Sequence, residues 1–177
     1  MTPDFTLNHF ELLGLPVGFA LDPARLEHGY RALQSQVHPD RFAVATEAER
    51  RVAMQWATRT NEAYRTLRDP LERARYLLQL RGYDTEEESN TSMPADFLMQ
   101  QMEWREAVVE ARSEGDVEEL ERLRNAIGRS RDDMLGVLER ALDADANFVA
   151  GCSLVRKLRF LEKLEAEIES ALELTEH

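Results

Sequence analysis

Apolar residues recur along this chain at intervals of three and four for most of its length, the repeat that places side chains on one face of an α-helix. No stretch alternates apolar and polar residues as a half-buried strand does. In the first half the pattern predicts four helical pieces. A short one over Asn8 to Leu13 stops at Gly14. A second opens at Asp22-Pro23, an N-cap followed by proline at the first helical position, and carries Leu26, Tyr30, Leu33 and Val37 on one face. Pro39 ends it, because the residue before a proline is pushed out of the helical region. A third runs from Glu47 to Leu67 with Val52, Trp56, Ala63 and Leu67 as core positions, and stops at Asp69-Pro70. A fourth, Leu71 to Leu80, stops near Gly82.

The second half predicts three longer helices. The first spans Ala95 to Ser113, with Phe97, Trp104, Val108 and Ala111 on its core stripe. Glu114-Gly115-Asp116 turns the chain, and Asp116 with Glu119 has the spacing of a capping box. The next helix carries Leu120, Leu123, Ile127, Met134 and Leu138, and a turn over Asp143 to Asn147 leads to the last. That helix carries Phe148, Val155, Leu158, Leu161 and Ile168, with Leu154, Leu158 and Leu161 as its stripe. Three amphipathic helices joined by short turns pack as an antiparallel bundle. Between the halves, Arg81 to Pro94 holds Gly82, three consecutive glutamates, Ser89-Asn90-Thr91-Ser92 and Pro94, with no apolar period, and reads as a linker. The expected organisation is therefore 1–80, a linker over 81–94, and a bundle over 95–177.

Composition narrows the function. The 177 residues suit one domain or two small ones, and 43% hydrophobic residues suffice for real cores. The formal net charge of -12 is unevenly placed: the first 80 residues carry ten basic and ten acidic side chains, so the whole excess lies in the second half. Such a balance argues against a nucleic-acid or anionic-membrane binder, whose affinity comes from Lys and Arg on phosphates. A single cysteine excludes an intramolecular disulfide, a cysteine-rich zinc site and a cluster-binding set. No apolar run approaches the roughly 20 residues of a membrane span. The first residues lack the basic and apolar regions of a signal peptide, so a cytoplasmic location is expected. His9, His28, His38 and His177 show no metal-ligand spacing and read as surface or turn residues; Cys152 reads as core; Glu162, Glu165, Glu167 and Glu169 read as a solvated helix face. No cofactor and no metal site is expected.

The sharpest local feature is His38-Pro39-Asp40, set between two amphipathic helices where proline stiffens the turn. A His38/Asp40 catalytic pair lacks a nearby nucleophile, and the proline between them serves shape better than proton transfer. On its own the tripeptide reads as a helix stop. The chain around it changes that reading. His9-Phe-Glu-Leu-Leu-Gly-Leu-Pro16 stands before it, and Arg31 to Phe42 contains it. Thr60-Asn-Glu-Ala-Tyr-Arg-Thr-Leu-Arg-Asp-Pro70 and Arg73-Ala-Arg-Tyr76 follow. In this order the series resembles the J domain of DnaJ-type co-chaperones, over about Phe5 to Leu80. The resemblance implies docking on a DnaK-type chaperone and stimulation of its ATPase through His38, Pro39 and Asp40, with Arg25, Arg31 and Arg41 as flanking charges. Glu27 and Gln34 make the second helix less basic than in many J domains.

The second half lacks a Gly/Phe-rich segment and cysteine repeats. Phe97-Leu-Met-Gln-Gln-Met-Glu-Trp-Arg-Glu106 and Val155-Arg-Lys-Leu-Arg-Phe-Leu-Glu-Lys-Leu164 look like the C-terminal domain of the HscB family, the co-chaperones of iron–sulfur cluster assembly. That resemblance implies an all-α chain, a J domain followed by a three-helix bundle. It implies two partners, an IscU-like scaffold protein held by the bundle and an HscA-like chaperone of the DnaK type, and no catalytic activity in the chain itself. Leu98, Met99 and Met102 fall outside the core stripe of their helix, and Phe160 lies two residues past Leu158 on another side. Extra apolar residues off a core face suit a partner, and methionine adapts to its surface. With Glu103 and Glu106 as polar neighbours, these residues are the expected scaffold contact, and Arg105 is a further neighbour. The alternative is an adaptor for a different client of a DnaK-type chaperone, and a pull-down with the scaffold separates the two.

Overall fold

The computed structural model describes residues 4–42, 44–85 and 93–175. All regular structure among them is helical: α1 (His9–Leu12), α2 (Pro23–Val37), α3 (Glu47–Arg68), α4 (Pro70–Leu80), α5 (Ala95–Glu114), α6 (Val117–Glu139) and α7 (Phe148–Thr175). The chain gathers into two compact units, Met1–Leu80 and Arg81–His177.

In the first unit the helices start where side chains can satisfy their free N–H groups. Asn8 and Glu11 form a reciprocal capping box at α1, and Thr46 and Glu49 form another at α3. The Asp22 carboxylate accepts the Ala24 N–H, and that of Asp69 accepts those of Leu71 and Glu72, starting α4 directly after α3. The core stripe of α2 is Leu26, Leu33 and Val37, with Tyr30 half-buried and stacked on Tyr64 at 4.1 Å. On α3 the stripe is Ala53, Trp56, Thr60, Ala63 and Leu67. Val52, expected in the core, is 37% exposed, because it falls one residue outside that three-four repeat. Thr60 is buried without loss, since its hydroxyl donates to the Trp56 carbonyl at 2.8 Å.

Two residues tie the short N-terminal segment to α4. Arg73 is buried, donates to the carbonyls of Phe19 (2.8 Å) and Leu67 (2.7 Å), and lies over the Phe19 ring. Tyr76 accepts the His9 N–H at 3.0 Å and stacks on the His9 ring at 4.2 Å. His9 is therefore half-buried rather than a surface residue, and burial holds its pKa below the usual histidine value.

In the second unit α5, α6 and α7 enclose one core. Phe97, Val108 and Ala111 of α5 meet Leu120, Leu123 and Ile127 of α6 and Leu161, Leu164, Ile168, Ala171 and Leu172 of α7. Gly115 takes the left-handed conformation (φ 68°) that closes α5. The Asp116 carboxylate then accepts the Glu119 N–H. Only this half of the expected capping box forms, because the Glu119 carboxylate binds Arg122 instead. At the other turn the helix widens into a single π turn over Arg140–Ala144 before Ala146 adopts a left-handed φ of 48°, so the turn is shorter than expected. The core stripe of α7 continues Val155, Leu158 and Leu161, leaving Leu154 only half-buried. Of the α7 glutamates, Glu167 and Glu169 are exposed as expected while pairing with Arg105 and Arg124 at 3.5 Å, and Glu165 is half-buried against Arg131 (3.0 Å), so the face also bridges to both neighbouring helices. Cys152 is buried.

Of the stretch read as a linker, Tyr83 packs on Phe148 at 5.3 Å, and the carbonyl of buried Thr85 accepts from Arg156 at 2.9 Å. Its polar middle, 86–92, lies outside the described residues.

Candidate functional site

The turn after α2 is built by backbone geometry. His38 caps the helix with φ -59° and ψ 134°, which lifts the chain out of the helical path, and residues Pro39–Phe42 close a single 3₁₀ turn. The His38 carbonyl accepts the Arg41 N–H at 3.0 Å. The His38 and Asp40 side chains are both exposed and face each other, Nδ1 lying 3.4 Å from the carboxylate and 3.3 Å from the Asp40 N–H. As a neutral ring His38 accepts that N–H; protonated, it pairs with the carboxylate. Either way the two side chains brace one turn and leave their outer edges to solvent.

The turn stands at the end of a hairpin of α2 and α3, and α2 also packs closely against the residue that ends α1. Gly29 lies so near α1 that a Cβ built there would sit 2.1 Å from the Leu13 carbonyl oxygen. Of the flanking cations, Arg41 adjoins the turn, whereas Arg25 lies 13 residues before His38, about 20 Å along the helix. Arg25 and Arg31, six residues apart, are about 120° apart around α2 and flank its buried stripe on opposite sides. Arg31 is bound to Glu27 at 2.6 Å, and the second carboxylate oxygen of Glu27 accepts from the Tyr64 hydroxyl at 2.7 Å. The Tyr64 hydrogen bond, then Arg31, holds the Glu27 carboxyl below its usual range. The cationic rim of the turn is thus Arg41 nearby, Arg31 held by Glu27, and Arg25 at the far end.

On α5 the core stripe leaves another side uncovered. Phe97 is buried beneath the Lys157 ammonium, 5.4 Å from its ring centre, and Trp104 is half-buried. Leu98 (39%), Met99 (62%) and Met102 (62%) are exposed, as are Glu103 and Glu106. Arg105 is engaged with Glu167 of α7. Phe160 differs from expectation. It is half-buried against the bundle core with Lys163 5.9 Å from its ring centre, because its side of α7 turns toward the core rather than away. Sequence reasoning also passed over Val109, 62% exposed and seven residues beyond Met102; the helical repeat already aligned it with Leu98 and Met102. Among the described residues no group of three or more His, Cys, Asp or Glu could hold a metal ion, and no helix is long and apolar enough to cross a membrane.

The turn residues His38 and Asp40 and the α5 residues Leu98, Met99 and Met102 are thus exposed. Residues 93–169 match the family model described as the HSCB C-terminal oligomerisation domain. A co-chaperone protein HscB homolog of Paraburkholderia xenovorans is 53% identical over 173 residues, covering 96% of this chain and 97% of that protein. The solved structure of chaperone HscB from Vibrio cholerae superposes with a TM-score of 0.84 at 38% identity, covering 96% of this chain and 99% of that one. The crystal structure of human co-chaperone protein HscB does so with a TM-score of 0.88 at 29% identity, covering 95% and 83%. With a J domain in its first unit and a helical bundle in its second, the chain belongs to the HscB family of co-chaperones.

Proposed function

We propose that this chain brings an IscU-like iron–sulfur scaffold protein to an HscA-like chaperone of the DnaK type and raises that chaperone's ATPase rate. Hydrolysis takes place on the chaperone; this chain supplies contacts. His38, Pro39 and Asp40, with Arg25, Arg31 and Arg41, make the chaperone contact. Leu98, Met99 and Met102, with Glu103 and Glu106, make the scaffold contact, and half-buried Phe160 supports that surface from α7. The division of labour explains why two sites sit on one chain. A scaffold held by one unit reaches the chaperone at the effective concentration set by the other, so the second encounter becomes intramolecular.

The observation that carries this reading is the turn after α2, where His38 and Asp40 brace each other yet keep solvent-facing edges. A buried stop between two helices would need no such pair. The test is the chaperone's steady-state ATPase rate with this protein, with the scaffold, and with both. Stimulation by the chain alone and a more than additive rate with both are expected. A rate with both equal to that with scaffold alone refutes the reading.

A further inference from the structure

The exposed apolar surface of α5 does not end at Met102. Val109 lies 11 residues after Leu98 and seven after Met102, spacings that return to the same side of a helix. Leu98, Met102 and Val109 form one stripe about 16 Å long at the helical rise. The stripe separates the charges of α5 by sign. Glu103, Glu106 and Glu110 follow one flank. On the other flank is a groove of about 490 Å³ between α5 and α7, floored by Val108, Val109 and Ala166 and edged by Arg112 and Lys163. The one carboxylate lining it, Glu167, is taken by Arg105. Arg112 and Lys163 therefore face the groove without an acidic partner among the described residues, in the half of the chain that carries the whole net charge of -12.

We propose that this groove is a second subsite of the scaffold-docking surface, taking an acidic segment of the scaffold whose apolar side chain covers Val109. The inference rests on the reading of Leu98, Met99 and Met102 as scaffold contacts. Charge complementarity selects the occupant: cations without a carboxylate partner beside an apolar floor favour a carboxylate next to an apolar group. The opposite signs on the two flanks also fix the orientation of the partner, because a reversed scaffold would set like charges against each other.

The experiment substitutes Val109 in the full chain and measures affinity for the apo scaffold by titration calorimetry. Val109 is exposed, so Val109→Glu and Val109→Lys both keep the thermal transition of the wild type. Val109→Glu places a carboxylate where the acidic segment must sit and weakens binding about tenfold or more, the scale of like-charge juxtaposition at an interface. Val109→Lys leaves affinity within about twofold or improves it, since close charge pairs across an interface can be net favourable. Equal weakening by both variants, or no weakening by Val109→Glu, overturns the subsite. A triple variant, Leu98→Ala/Met99→Ala/Met102→Ala, tests the underlying reading separately. If it binds like wild type, the scaffold docks elsewhere and that reading fails. If it loses binding while Val109→Glu does not, the subsite alone fails.

Discussion

The close approach of α2 to the turn after α1 can be tested by a single methyl group. Gly29 sits inside a helix, where alanine is favoured over glycine by about 1 kcal/mol. Propensity alone therefore says that Gly29→Ala stabilises. The tertiary structure says the reverse. The new Cβ would lie 2.1 Å from the Leu13 carbonyl oxygen and 3.1 Å from its carbonyl carbon. Both are backbone atoms of a buried residue, so no flexible side chain can swing aside. Relief requires α2 to withdraw by roughly 1 Å, toward ordinary van der Waals contact. Overpacking of this kind costs about 1–3 kcal/mol and occasionally more. A Cβ this close to backbone atoms puts the clash at the upper end of that range, so it outweighs propensity and leaves a net loss of up to about 2 kcal/mol, or up to about 16 °C in Tm for a unit of this size. Gly136 of α6 is the internal control, because a Cβ there meets nothing within 4 Å. Gly136→Ala should raise stability by a few tenths to about 1 kcal/mol. Scanning calorimetry of the full chain reads both, and the opposite shifts assign the transitions to the two units. A Gly29→Ala chain more stable than wild type refutes the reasoning.

Three further outcomes are expected. His38→Gln changes an exposed side chain, so folding stability stays within about 0.5 kcal/mol, while stimulation of the chaperone ATPase collapses and scaffold affinity persists; full stimulation would reduce the turn to a helix stop. A fragment over 81–177 melts cooperatively by circular dichroism, whereas one over 95–177 melts lower because it loses the Tyr83–Phe148 contact and the Thr85–Arg156 hydrogen bond; identical melting would show that those contacts stabilise nothing. Burial on Tyr76 holds His9 below its ordinary pKa. The unfolded chain then binds a proton near pH 6.5 that the folded chain resists, so stability of the first unit is full above about pH 6.5 and falls as pH drops toward the folded value. Urea midpoints at neutral and mildly acidic pH should show this fall weakened in His9→Gln; equal slopes in the two proteins would exclude His9 as the source.

Local chemistry, and with it much of this protein, is readable from the sequence. Asp22-Pro23, Asp69-Pro70 and Gly115 set helix ends through groups within a few residues, and the three-four repeats of Leu26, Leu33 and Val37 or of Leu120, Leu123 and Ile127 identify buried faces before any packing is known. The exposure of Leu98, Met99 and Met102 follows from the same repeat, because a helix cannot turn every side toward one core. Tertiary structure decided what depends on where one helix meets another. Val52 is more exposed and Phe160 more covered than the repeat alone suggests, because burial at the edge of a stripe depends on how neighbouring helices cross. The contact of Gly29 with Leu13, the packing of buried Arg73 over Phe19 and the stack of His9 on Tyr76 join residues 16, 54 and 67 positions apart, and no local repeat encodes them. The α7 glutamates likewise look solvated along their own helix and become bridges only when Arg105, Arg124 and Arg131 are brought opposite them. Hydrogen bonds within one turn are written in neighbouring residues; contacts between helices depend on their crossing geometry, which only the packed core determines.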